Sequence, residues 1–337
     1  MTNKKNTENN ICIIGAGIAG LTAGALLTKQ GFNVKIFEKE ERIGGRALSL
    51  EGNSLTIDNY KSLLLKFHMN VAFSEPDLET IFDKKMLEGH ILDMGYHVIG
   101  GGVVSNLRHI LSTLNEHIDM LETRLAYITD KGFDYPFLTT SDKIKMLPQI
   151  LRLILAGEST MKKLDKVPMK DTIEKYGKGK MKLTLELFSR TITTVNNLDT
   201  ISSGETFRSQ KNLLRGSRAV GYPKNGLFGI SQILADFIKK NGGEIHLNSA
   251  VTKIIIDNNK AAGVVIGDKE LFFNTVVSNI PVQNIFAIAD ERYFPKDYVK
   301  NVKSLKGTGS LCAYYSLKNI DERLLGRSEL IISQIIS

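Results

Sequence analysis

Cysteine is scarce: Cys12 and Cys312 are the only two, and no CxxC pair occurs. That excludes a disulfide framework, an internal dithiol relay and a cysteine-built zinc site. Long apolar runs are missing too. No stretch approaches the ~20 unbroken apolar residues of a membrane-spanning helix. Residues 1–10 are polar and Asn/Lys-rich, so they are expected to form a disordered tail, and they lack the apolar core of a secretory signal. The default location is therefore cytoplasmic. Neither a zinc-finger spacing nor an RNA-binding signature is present, so nucleic acid is not an expected partner.

The remainder is ordinary for a globular protein, with 42% hydrophobic residues in 337, enough for two domains or one large one. The formal net charge is +8, and it is concentrated. Residues 143–190 carry twelve Lys or Arg against five Asp or Glu, an excess of seven. A solvated helical surface accounts for such a run; a surface facing anionic lipid is the sharper reading, which makes peripheral membrane contact an expectation for this region.

The N-terminal pattern carries chemistry. Ile11 to Ile14 reads as a buried parallel strand. Gly15-Ala16-Gly17-Ile18-Ala19-Gly20 follows, then a helical stretch to Gln30 and a second strand, Asn33 to Phe37, ending at Glu38. Strand, GxGxxG, helix, strand and acid together form a dinucleotide fingerprint. The first glycine allows a tight turn, the second admits the pyrophosphate and the third lets helix and strand pack closely. The helix N-terminus offers free amides and positive dipole to phosphate. Glu38 suits ribose hydroxyls and disfavours a 2′-phosphate, hence not NADP. At this point NAD and FAD are both open. Glu40-Glu41-Arg42-Ile43-Gly44-Gly45-Arg46 comes next, a glycine pair flanked by arginines, suited to close backbone approach and to pyrophosphate charge.

The combination GAGIAG, Glu38 and RIGGR resembles the start of the glutathione-reductase-like flavoproteins, in the branch holding amine oxidases, protoporphyrinogen oxidase and phytoene desaturases. The resemblance implies FAD as the cofactor. It places Gly15, Gly17, Ile18, Ala19, Gly20, Glu38, Lys39, Gly44, Gly45 and Arg46 around it, with Arg46 near the pyrophosphate. No second GxGxxG follows, so no separate NAD(P)H domain is expected. Ile91 to Gly102 contains Asp93-Met94-Gly95-Tyr96-His97, similar to a stretch the branch runs past the flavin ring. Gly95 and His97 are candidates there, and His97 is the one catalytic candidate; a satisfied turn histidine accounts for it equally. No metal site is expected.

Further on, Gly221 to Gly226 reads as a loop, Leu227 to Lys240 as a helix capped by Gly242-Gly243, and Val251 to Val277 as a β-meander ending in Val-Ser-Asn. This block is similar to phytoene desaturases and carotenoid isomerases, with Asn225 where their loop has a glycine. It implies that the Val251 backbone meets the adenine. The expected fold is α/β: a Rossmann-type FAD-binding domain (11–102 and 221–281) with a β-meander, plus an inserted, mostly helical substrate or cap region (103–220 and 282–337). Ile144, Leu147, Ile150, Leu151, Ile154 and Leu155 share one helical face, normally a core face. The family's C-terminal glycine-rich segment under the flavin is not found, so the cap region reads as incomplete: either the chain is a fragment or a second chain completes the FAD site. By itself the chain is expected to hold FAD weakly or not at all. The resemblance implies an oxidoreductase acting on a hydrophobic small molecule, a polyene or other isoprenoid lipid, by desaturation or isomerisation. An amine-oxidase-like enzyme and a non-catalytic FAD-binding subunit are the alternatives.

Overall fold

The structure is a computed structural model and describes residues 9–71, 73–95, 99–100, 105–129, 132–134, 139–214, 220–307, 314 and 328–333. The chain opens with β1 (Asn10–Ile14), α1 (Ile18–Lys29), β2 (Asn33–Phe37), β3 (Ser49–Glu51), α2 (Ile57–Lys66), α3 (Leu78–Asp83) and β4 (Ile91–Asp93). Next come β5 (Ile99–Gly100), α4 (Asn106–Leu114), β6 (Met120–Thr129) and β7 (Gly132–Asp134). Five helices follow: α5 (Thr140–Leu155), α6 (Glu158–Leu164), α7 (Met169–Tyr176), α8 (Lys180–Thr193) and α9 (Ser203–Leu214). The chain continues through β8 (Val220–Pro223), α10 (Phe228–Lys240), β9 (Glu244–His246), β10 (Val251–Asp257), β11 (Lys260–Ile266), β12 (Lys269–Phe272) and β13 (Thr275–Ser278). The last elements are α11 (Lys296–Ser304) and β14 (Ser328–Ser333).

Two compact units result, one of residues 1–97, 113–118 and 223–305, the other of 98–112, 119–222 and 306–337. In the first unit a parallel sheet has the order β13-β1-β2-β9. Both of its faces are covered, which is why Ile11–Ile14 of β1 is an unbroken apolar run. On one face α1 packs beside α10, and Ile13, Leu21, Ile36, Leu234 and Ile238 are fully buried. Each such side chain contributes about 1.5–3 kcal/mol. On the other face Cys12, Ile14 and Phe37 join Ile254 and Val264 of an antiparallel meander, β10-β11-β12. Asn258 and Asn259 both have positive φ in the β10–β11 turn, the hairpin geometry that suits right-twisted strands.

Several sequence expectations are corrected here. Asn10, assigned to the tail, is the first residue of β1; residues 1–8 lie outside the described residues. The stretch Leu271–Val277 is not one meander strand. It breaks at Phe273-Asn274, where the Asn274 amide donates to Asn10 O at 3.1 Å, and the chain leaves the meander to enter the parallel sheet as β13. Residues 221–223 are strand, not loop, since Gly221 pairs with Ile99. Residues 282–305, assigned to the cap, belong to the first unit: Ile285, Ala289 and Val302 sit in the Cys12–Ile14–Phe37 cluster. Leu311 to Leu317, which reads as a strand in the sequence, falls outside the described residues apart from Tyr314.

The second unit is helical with a small sheet of order β14-β6-β8-β5, β7 pairing with β6. Met169, Ile173, Leu185 and Ile201 form a core under α7 and α8. Arg208 on α9 gathers Glu158, Asp165 and Glu205 at 2.9, 2.7 and 2.8 Å, and its guanidinium holds the Asp165 carboxyl below the usual carboxylate range.

Candidate dinucleotide site

The β1–α1 turn is held from below. The Gly15 amide donates to Phe37 O at 2.8 Å, tying the turn to β2. Gly15 has φ +96°, a conformation that side chains rarely adopt. Gly17 is the N-cap of α1, no side chain caps it, and no acid occupies the first turn. Leu21 N–H makes the first intrahelical bond, to Gly17 O at 2.9 Å. The Ile18, Ala19 and Gly20 amides are thus the open donors of the helix end, the arrangement that attracts phosphate. Gly20 is packed so closely that a Cβ there would lie 2.1 Å from Gly15 O.

Glu38 is buried at the end of β2. Its carboxylate accepts the Ala16 amide at 2.7 Å and the Glu40 amide at 3.0 Å, which brings it directly beneath the turn. Its own backbone is clasped by the next strand: Glu38 N–H donates to His246 O and Ser249 N–H donates to Glu38 O, at 2.8 and 2.7 Å. Lys39 is exposed and faces Glu40 at 3.6 Å, while Lys66 holds the Glu40 carboxyl below its ordinary range.

The glycine pair closes on the turn. Gly44 N–H donates to Ala16 O at 2.8 Å, and Gly17 and Gly44 form a parallel bridge. Gly44 has φ +98°, and a Cβ on Gly45 would lie 3.3 Å from Gly17 Cα. The two arginines differ. Arg42 is half-buried, donates to Ile43 O and Gly45 O at 3.3 and 3.2 Å, and stacks over Phe67 at 5.1 Å, so it braces the glycine pair. Arg46 is exposed at its end.

The structure brings Gly15–Gly20, Glu38, Gly44 and Gly45 together. Val251 is half-buried at the start of β10, two residues beyond the Ser249 contact with Glu38. His97 lies outside the described residues. Gly95 is described and has φ +90°. The aspartate of the same stretch is occupied elsewhere: buried Asp93 accepts Leu227 N–H at 3.0 Å and pairs with the Ser49 hydroxyl, which accepts Phe228 N–H at 2.9 Å. Asp93 and Ser49 together cap α10. Asn279 was noted in the sequence only as the end of Val-Ser-Asn. At the end of β13 its backbone amide donates to Ile14 O at 2.8 Å, and its Nδ2 donates to Gly15 O at 3.4 Å. A polar residue ending a strand was the only signal for it, and the pairing of β13 with β1 gave that residue its place. An open cavity of about 580 Å³ lies beside Arg42 and Lys66 over Leu48, Leu50, Leu55 and Leu63.

A backbone cradle with open amides, a buried acid beneath it and room only for glycine at its contact fits the ADP half of a dinucleotide. Among the described residues, no three His, Cys, Asp or Glu gather to hold a metal ion, and no helix is long and apolar enough to cross a membrane.

Comparison with known proteins agrees with this geometry. The family model for NAD(P)-binding Rossmann-like domains matches residues 13–84. A 4,4′-diapophytoene desaturase (4,4′-diapolycopene-forming) of Methylomonas sp. is 29% identical over 269 residues, covering 77% of this chain and 50% of that protein. A 1-hydroxycarotenoid 3,4-desaturase of Flavobacterium sp. (strain P99-3) is 28% identical, covering 75% and 52%. The chain is similar in sequence to these two desaturases. It spans about half the length of these relatives. A solved structure of a putrescine oxidase variant superposes with a TM-score of 0.58 at 17% identity, covering 87% of this chain and 62% of that one, a likeness of fold.

Proposed function

We propose that the chain is the cofactor-binding part of an FAD-dependent oxidoreductase acting on a polyene or other isoprenoid lipid. The observation that carries the reading is the closed turn, Gly17 bridged to Gly44 with the Glu38 carboxylate beneath it, in a chain similar to carotenoid desaturases. FAD, when bound, supplies hydride transfer with a substrate carbon, as in desaturation or double-bond isomerisation. The chain's own residues hold and orient it. The open amides of α1 and the exposed Arg46 take the diphosphate. Glu38 would take the adenosine ribose hydroxyls and repel a 2′-phosphate, and the strand backbone at Val251 would meet the adenine. An exposed Lys39 adds positive charge at the rim. The amine-oxidase alternative has a likeness of fold alone on its side, at 17% identity.

Fluorescence titration of the chain with FAD, and separately with NADP, tests the cofactor. Weak, saturable FAD binding is expected, about tenfold or more weaker in Gly17→Ala, with none for NADP. NADP binding in preference to FAD, or FAD binding undiminished in Gly17→Ala, would overturn it. For the substrate, the FAD-loaded chain is given an acyclic polyene in vesicles, alone and with any second chain that co-purifies with it. Lengthened conjugation, seen as a shift of polyene absorbance to longer wavelength, is expected; peroxide release from amines in its place would favour the alternative.

A further inference from the structure

In the second unit, four of the six apolar residues expected on one core face of α5 face outward; the side chains of Ile150 and Ile154 lie outside the described residues. Ile144, Leu147, Leu151 and Leu155 are 66%, 49%, 47% and 80% exposed. At about 100° per residue these four fall within an arc of about 80°, a single line along the helix. Met146, on the opposite side, is buried, and α9 is among the elements packed against α5. The helix is therefore docked by one side and presents its leucine line outward. Exposed Lys145 and Arg152 stand on one shoulder of that line.

The segment that begins with this line is strongly basic. Residues 143–190 hold an excess of seven positive charges. Two of their five acids, Glu158 and Asp165, are bound by Arg208 from outside that segment, as Lys170 and Lys180 are by Asp199 and Asp142, so these pairings leave the excess in place. Asp142, at the first turn of α5, is bound by Lys180 at 3.4 Å and by the Thr139 cap. A second copy of this chain seated on the line would bring two such basic segments together, which disfavours self-association. An anionic lipid surface satisfies both features at once: acyl chains receive the leucines and headgroup phosphates receive the cations.

We propose that α5 is an in-plane membrane-binding element, lying on an anionic bilayer with Ile144, Leu147, Leu151 and Leu155 at the acyl boundary and Lys145 and Arg152 at the headgroups. This goes beyond the cofactor reading and does not depend on it, since it stands on exposure and charge alone. In a lipid-acting enzyme it would place the second unit on the phase that holds the substrate.

The chain contains no tryptophan, so Leu151→Trp introduces a single reporter at an exposed position. With vesicles of phosphatidylcholine plus phosphatidylglycerol, free of flavin and polyene, its emission is expected to shift to the blue and to be quenched by brominated lipid. In co-sedimentation, Leu147→Glu/Leu155→Glu is expected to bind at least about tenfold more weakly, and Arg152→Gln about fivefold more weakly. Both variants should keep the parent melting temperature, because the altered side chains are exposed. An unshifted tryptophan, or Leu147→Glu/Leu155→Glu binding like the parent, would overturn the proposal. A parent that sediments as a dimer and a double variant that sediments as a monomer would assign the face to a second copy and overturn it equally. The FAD titration is a separate readout, so either reading can fail alone.

Discussion

Gly20→Ala and Gly17→Ala should separate stability from binding, although the two glycines lie in one turn. At Gly20 a Cβ would lie 2.1 Å from Gly15 O and 2.9 Å from Asn279 Nδ2. The Gly15 carbonyl cannot rotate away, because Ala16 N–H of the same peptide plane is held by the Glu38 carboxylate at 2.7 Å. Relief requires α1 to move off the sheet end by about 1 Å, in an interior packed at crystal density. Such overpacking costs about 1–3 kcal/mol, here at the upper end; alanine's helix propensity offsets up to about 1 kcal/mol. The net loss is about 2 kcal/mol, a fall in Tm of about 4–8 °C for a unit of this size. At Gly17 the backbone is at φ −72°, ψ 171°, which alanine adopts freely. A Cβ there would meet only Asn279 Nδ2, at 3.0 Å, the movable end of a side chain. Losing glycine at an N-cap costs about 1 kcal/mol or less, so Tm should fall by no more than about 4 °C. The same Cβ occupies the place where a pyrophosphate meets the backbone, so affinity for FAD should fall by about tenfold or more. Thermal melts and FAD titrations of both variants check the pair. If Gly20→Ala melts with or above the parent, or Gly17→Ala binds FAD normally, the packing account of the turn is wrong.

Other outcomes follow from single groups. Burial pushes the Cys12 thiol up to about 12. Its folded value then exceeds the unfolded one, so stability is fully present below about pH 9 and declines above it by about 1.4 kcal/mol per pH unit up to about 12. In a Cys312→Ser background, Cys12 should resist alkylation at pH 8 until the chain is unfolded; rapid labelling of the native protein would contradict its burial. Asp93→Ala removes the acceptor of Leu227 N–H and the partner of Ser49, and is expected to cost about 2 kcal/mol, read as a lower urea midpoint. Ser49→Ala should cost about half of that, and a double variant that merely adds the two losses would argue against a shared cap on α10.

Much of the first unit was legible because local chemistry decides it. A glycine-rich turn between an apolar strand and a helix, with an acid ending the next strand, has few other ways to fold. The elements through Phe37 therefore stand where the sequence puts them. Asn258-Asn259 between two apolar runs reads as a turn and makes the hairpin turn, since asparagine tolerates positive φ. What sequence could not decide were choices between partners. Nothing local says that Thr275–Ser278 leaves the meander and pairs with β1, yet that pairing brings Asn279 to the glycine turn. Nothing local says which of Arg42 and Arg46 braces the glycine pair; Phe67, distant in sequence, takes Arg42. The apolar periodicity of α5 showed that one face differs, but periodicity is the same whether that face meets protein or lipid. Only the packing shows Leu147 and Leu151 turned outward. Sequence determines the local conformations and the periodic faces, because those depend on neighbours a few residues away. Tertiary structure decides what each face and each charge meets, because that depends on contacts between residues far apart in the chain.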